Sequence, residues 1–181
     1  MQVDLYSEKD ILEGCKNNKR QYQEILYRKY ATKMYGICMS YSGDRDMAQD
    51  ILQESFIKVF KKIKGFNMEG SLEGWIRRIV SNTAIDSLRK RQREYSYIND
   101  SYDEPVEDFK PGVLEEMKAT DIMNMVSRLP EGARLIFNLF ALEGYSHSEI
   151  AKKLNITEGT SKSQFSRARK MLMSLVNKYS A

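Results

Sequence analysis

The sequence predicts an all-α protein of two small helical domains joined by a flexible acidic linker. Three observations predict it. Apolar residues recur at three- and four-residue steps through most of the 181-residue chain. Ten glycines and three prolines are few for its length, while Lys, Arg, Glu, Leu and Met abound. That periodicity stops between residues 94 and 113, where Pro105 and Pro111 stand among acids.

The first domain is expected over residues 1–93. Ser7 followed by Asp10 has the spacing of a capping box, in which a hydroxyl and a carboxylate each satisfy a free backbone N–H, so a short helix runs to about Asn17. A second helix, near Lys19 to Tyr41, repeats Tyr22, Ile25, Leu26, Tyr30, Met34, Ile37 and Cys38 on one face. Ser42-Gly43-Asp44 breaks it, with Asp44 suited to cap the next. The third helix carries Ala48, Ile51, Leu52, Phe56, Val59 and Ile63 inward. After a loop from Gly65 to Gly70, Ser71 caps a fourth helix with Leu72, Trp75, Ile76, Val80, Ala84 and Leu88 on its core side. Its other side, Arg77, Arg78, Ser81, Asn82, Asp86 and Arg89, is polar and mostly basic.

The linker, residues 94–113, opens the chain's strongest charge asymmetry. From Glu94 to Glu116 eight acids face Lys110 alone, so a formal net charge of +4 conceals about +11 over the remainder. Such a balance suits two basic nucleic-acid surfaces flanking an acidic tether. About 20 extended residues reach at most roughly 70 Å.

The second domain is expected over residues 114–181, with helices interrupted at Leu129-Pro130 and stopped at Glu143-Gly144, where glycine suits a left-handed C-cap. Ser146 and Glu149 form a second capping box. A short helix to Leu154, a turn at Asn155-Ile156-Thr157 and a longer helix from Glu158 to about Asn177 make a helix-turn-helix. In that motif the N-terminal part of the second helix enters the major groove. Gln164 and Ser163 offer hydrogen bonds to base edges, with Thr160 beside them. Lys162, Arg167 and Lys170 suit phosphates. His147 has no partner ligands in sequence and is expected at the surface, neither metal-bound nor catalytic.

Asp50, Gln53 and Glu54 share one helical face. An acidic and amide patch is ill-placed for DNA and suits docking onto a basic protein partner. Cys15 and Cys38 match no zinc or redox spacing and are expected to be reduced and half-buried. No stretch of about 18 apolar residues occurs and no export signal is visible, so a cytoplasmic protein without membrane insertion is expected. No phosphate loop, glycine fingerprint, metal spacing or nucleophile beside a histidine is present, so neither catalysis nor a cofactor is expected.

The run Asp50 to Phe60, with Gly74-Trp75-Ile76-Arg77-Arg78 through Asp86, resembles region 2 of the extracytoplasmic-function sigma factors. Leu129-Pro130, Leu142 to Ser146, Glu149-Ile150-Ala151 and Gly159 to Ser163, closing on Arg167-Ala168-Arg169, resembles their region 4. The likeness covers nearly the whole chain in the family's order. It implies an alternative sigma factor that binds core RNA polymerase through its β′ clamp and β flap and recognises two promoter elements. By this resemblance Asp50, Gln53 and Glu54 would meet the clamp, Phe66, Arg77, Arg78, Asn82 and Arg89 would hold the −10 element, and Thr160, Lys162, Ser163, Gln164, Arg167 and Lys170 would meet the −35 element. An anti-sigma factor is a further implied partner. This chain departs from the family in carrying Ser161, Gln164 and Arg77 where branched, arginine and aromatic residues are frequent. Two alternatives stay open on the residues alone: a helix-turn-helix regulator acting without polymerase, and a helical module that sequesters a partner.

Overall fold

The computed structural model describes residues 6–94 and 119–179. Glu94, the first residue of the expected acidic linker, instead closes α4, and the rest of that linker and the start of the second domain at residue 114 lie outside the described residues. Eight α-helices order the rest, with no strand among the described residues: α1 (Glu8–Lys16), α2 (Arg20–Ser42), α3 (Arg45–Lys62), α4 (Leu72–Glu94), α5 (Ala119–Ser127), α6 (Glu131–Phe137), α7 (His147–Leu154) and α8 (Glu158–Tyr179). The all-α expectation holds.

Contacts divide the chain into two compact units, one of Met1–Cys38 with Arg45–Ser87, the other of Met39–Asp44 with Leu88–Ala181. Helix α1 begins where local chemistry says it should. Ser7 caps α1 with its hydroxyl on the Asp10 amide, and Asp10 returns its carboxylate to the Ser7 amide at 3.1 Å. That reciprocal bonding holds the Asp10 carboxyl below the usual carboxylate range. The helix ends in a Schellman motif: Lys19 N–H donates to Gly14 O, Asn18 N–H donates to Cys15 O, and Asn18 takes a left-handed φ of 56°. Ile11, Leu12 and Cys15 of α1 join Leu26, Met34, Ile51, Val59, Ile76 and Val80 among the buried apolar residues of the core. Ser55, polar but buried, returns its hydroxyl to Ile51 O at 2.6 Å. Cys15 and Cys38 are fully buried, not half-buried, and burial pushes their thiols up to about 11 and about 12, which leaves them poor nucleophiles. Ser81, expected on the polar side of α4, is buried instead.

In the second unit Val126, Leu129, Ala133 and Ala168 form a core lined by Ile122, Phe137, Met171 and Leu172. Small Ala133 and Ala168 let α6 and α8 pack closely. Arg134 is a buried cation whose guanidinium donates to four carbonyls of this unit, those of Tyr41, Ser42, Ser127 and Leu129, at 2.6–3.2 Å. α6 continues into a π turn, Asn138–Leu142, closed by Glu143 N–H on Asn138 O at 3.0 Å. Gly144 then ends the segment at φ 76°, as its sequence position predicts.

Candidate nucleic-acid and polymerase interfaces

The helix-turn-helix is built by capping at each joint. Ser146 and Glu149 form the reciprocal box that opens α7. Asn155 turns the chain at φ 57° and ψ 48°, a conformation that asparagine tolerates better than other side chains except glycine. Thr157 opens α8 by accepting the Thr160 amide at 3.0 Å. All three joints fall where the sequence places them.

The faces of α8 sort differently from expectation. Lys162 and Lys170 are exposed, and Thr160, Ser163 and Arg167 are partly so. Lys162 lies 3.9 Å from Glu158, a solvent-facing pair of little energetic weight. Gln164, expected to read a base, turns inward: it is 7% exposed and its Oε1 would sit 3.6 Å from a Cβ at Gly132 of α6. The reason is phase. Residue 164 falls three after buried Ser161 and four before buried Ala168, so it belongs to the inward stripe of α8. Ser163 keeps its outward place but spends its hydroxyl on Thr160 O at 3.1 Å.

His147 is likewise no simple surface residue. Its ring stacks on Phe140 at 4.4 Å and meets Phe165 edge-on, and its Nδ1 lies 2.9 Å from Ser161 Oγ. This bond ties the first residue of α7 to the N-terminal turn of α8, the turn that would enter the groove. Sequence reasoning missed it; the spacing of 14 residues carries no periodic signal. Desolvation, then the nearby Lys162 ammonium, lowers the His147 pKa, with Glu158 acting the other way. In the unfolded chain a histidine titrates at about 6.5. The neutral ring therefore contributes stability that is fully present above that value and is lost as pH falls below it towards the folded pKa. The expected result is a urea midpoint for the second unit that drops between pH 7.5 and 5.5, and that drops less in His147→Gln. Equal slopes in the two proteins would contradict it.

On the first unit, Asp50, Gln53 and Glu54 all stand exposed on α3. Glu54 pairs with Lys58 at 2.7 Å. The sequence reading passed over Ile57, which continues that face and is 54% exposed. An exposed apolar side chain one turn on from Gln53 and Glu54, with Lys61 a turn further, has the make-up of an interface anchor beside a polar rim.

The loop between α3 and α4 also departs from expectation at one residue. Phe66, expected to present its ring to DNA, is 5% exposed and packs on Trp75, with ring centroids 5.1 Å apart. Trp75, expected in the core, is half-buried by that contact. Beyond Phe66 the loop stands in solvent, and Met68, 52% exposed, holds a left-handed φ of 61° that non-glycine residues seldom adopt. Ser71 restarts the helix by accepting the Gly74 amide at 3.0 Å. On α4, Arg78 and Asn82 are exposed and Arg77 and Arg89 half-exposed. Among the described residues no group of acids, cysteines and histidine could hold a metal ion, and no helix is long and apolar enough to cross a membrane.

Comparison with known proteins places both halves of the chain in known families. The chain matches the family Sigma-70 region 2 over residues 26–94 and the family Sigma-70, region 4 over residues 119–172. Both regions in this order define the class, a sigma-70-type factor for transcription initiation. ECF RNA polymerase sigma factor SigW of Bacillus subtilis is 30% identical over 158 residues, covering 79% of this chain and 82% of that protein. SigM of the same organism is 25% identical over 154 residues, covering 84% and 94%. SigE of Mycolicibacterium smegmatis is 31% identical over 160 residues, covering 86% of this chain but 62% of that longer protein. Among solved structures, the sigma factor RpoE of Bartonella quintana, in complex with the anti-sigma factor NepR, matches with a TM-score of 0.48 and 23% identity, over 85% of this chain and 96% of that one. The chain belongs to the extracytoplasmic-function RNA polymerase sigma factors.

Proposed function

We propose that this protein is a non-enzymatic, cytoplasmic initiation factor that joins core RNA polymerase and directs it to promoters with two separated elements. Residues 1–93 act as the polymerase-binding and −10 module, residues 114–181 as the −35 module, and 94–113 as the tether. Asp50, Gln53 and Glu54, with Ile57 beside them, dock on the β′ clamp. The exposed loop after Phe66 and the α4 face of Arg77, Arg78, Asn82 and Arg89 hold the −10 strand, the arginines following its backbone. Thr160, Lys162, Ser163, Arg167 and Lys170 meet the −35 duplex while the β flap supports that module. Gln164 shapes the seat of α8 on α6 and acts on DNA only through it. An anti-sigma protein is the expected restraining partner.

The observation that carries this reading is the pairing, on one chain, of an exposed acidic face with an apolar anchor and a capped helix-turn-helix whose outward residues are basic. A regulator working without polymerase has no use for the former. In-vitro transcription with core enzyme over a randomised promoter library tests it. RNA from templates enriched in two motifs at a fixed spacing is expected. DNA shifts by the protein alone, with no gain in RNA on adding core enzyme, would overturn the reading in favour of a free-standing regulator.

A further inference from the structure

Lysine at the end of a short amphipathic helix is ordinarily a solvated charge, but Lys16 reaches 50 residues along the chain. Its Nζ donates to the backbone carbonyl of Phe66 at 2.6 Å, in a partly buried setting. Every part of that reach is fixed. The Schellman turn at Asn18 stops α1 at Lys16, so the side chain leaves from the last helical residue. Gly14, one half-turn earlier, lies so close to Tyr22 of α2 that a Cβ there would fall 2.1 Å from the Tyr22 ring. α1 therefore cannot slide along α2.

At the other end, Phe66 is clamped three ways. Its amide donates to Ile63 O at 3.1 Å, its ring packs on Trp75, and its carbonyl accepts from Lys16. The next four residues, Asn67 to Gly70, are exposed, with Met68 at φ 61° and Gly70 at φ 96°. Two left-handed residues in a four-residue tip leave its direction dependent on how the entry peptide is oriented. The Lys16 ammonium holds the carbonyl of that peptide. A charge-assisted hydrogen bond to a carbonyl is stronger and shorter than a neutral one, which suits it to this task.

We propose that Lys16 is a positioning residue for promoter opening: by gripping the Phe66 carbonyl it sets the shape of the 67–70 tip, and Met68 is the side chain the tip presents to an unstacked −10 base. The proposal rests on the reading of this loop as the −10 strand site. It assigns α1, which that reading leaves without a role, to base capture. It also moves the contact from the buried ring of Phe66 to the exposed thioether of Met68, whose polarisable chain adapts to a flat base.

The test uses the full-length protein assembled with core polymerase and a fluorescent single-stranded −10 oligonucleotide, alongside one scrambled at the −10 bases. Lys16→Met keeps the aliphatic stem and removes the donor, whereas Lys16→Arg keeps a donor. Lys16→Met is expected to lose about tenfold in affinity for the −10 strand and most of its preference over the scrambled strand. Lys16→Arg restores both. Core-polymerase affinity should stay at the wild-type value in each, and the thermal midpoint of Lys16→Met should fall only by the few degrees that one lost hydrogen bond costs. The slope of log affinity against log salt should also stay unchanged, whereas a lysine bound directly to phosphate would reduce it by about 0.7. Met68→Ala should reproduce the loss with Lys16 intact. Wild-type behaviour of Lys16→Met overturns the proposal, as do a lowered salt slope or a parallel loss of core binding. A wild-type holoenzyme indifferent to −10 sequence would instead bring down the reading of the loop itself.

Discussion

Ile57→Asp is expected to weaken binding to core RNA polymerase by about a hundredfold while the protein stays folded. The side chain is more than half in solvent on α3, so its removal opens no cavity and the first unit's core is untouched. Its neighbours Asp50, Gln53 and Glu54 are exposed on the same face. Apolar anchors of this sort carry a disproportionate share of interface energy, typically about 2 kcal/mol or more each. Burying a carboxylate in its place adds desolvation to the lost contact, and roughly 2.7 kcal/mol corresponds to the hundredfold change. Lys58→Ala is the control. Its partly exposed pair with Glu54 is worth at most about 1 kcal/mol, and breaking it frees the Glu54 carboxylate for a basic partner. Affinity should hold or rise. Core binding by Ile57→Asp within threefold of wild type, read by fluorescence anisotropy, would remove this face from the interface.

The second large effect concerns Gly14. Alanine is the better helix former by about 1 kcal/mol, so an isolated α1 would gain from Gly14→Ala. In the folded protein the added methyl would sit 2.1 Å from Cγ and 2.6 Å from Cβ of Tyr22. Those atoms are close to the α2 backbone and cannot swing aside, so one helix must move. Overpacking of this severity costs about 3 kcal/mol, which outweighs the propensity gain and leaves a net loss near 2 kcal/mol. Displacing α1 also draws Lys16 off Phe66, so −10 strand binding should fall with stability. Gly36→Ala in α2, where an added Cβ meets nothing within 4 Å, should instead stabilise by about 0.5–1 kcal/mol. Urea melts of the two variants shifting in the same direction would refute the packing argument.

What the sequence made legible was chemistry that acts within one turn. Ser7 with Asp10, Ser146 with Glu149, Asn155, Thr157 and Gly144 were readable because caps satisfy backbone groups three or four residues away. The helix-turn-helix and the polar face of α3 followed from the same local rules. Illegible were the residues whose place is decided by a distant neighbour. Gln164 and Ser161 turn inward because α6 and His147 meet them, and nothing in an amphipathic pattern says which polar residue lies at the edge of the apolar stripe. Phe66 is buried because Trp75, nine residues on, covers it. Ile57 escaped notice for the opposite reason, an apolar residue in an apolar-rich helix left outside the packing. The reach of Lys16 and the bonds of Arg134 to Tyr41 and Ser42 are long-range pairings with no periodic trace.

The π turn at Asn138–Leu142 has a consequence for how this segment can vary. One residue more than an α-helical turn rotates everything after it by about 100° about the helix axis. That rotation sets where Phe140 falls relative to Phe137, and both rings meet Phe165, while Phe140 also carries the His147 stack. The stretch from Pro130 to Gly144 is therefore constrained in count more tightly than in composition. Swapping one aromatic for another there leaves the recognition helix seated, whereas deleting a single residue would swing the platform out from under it.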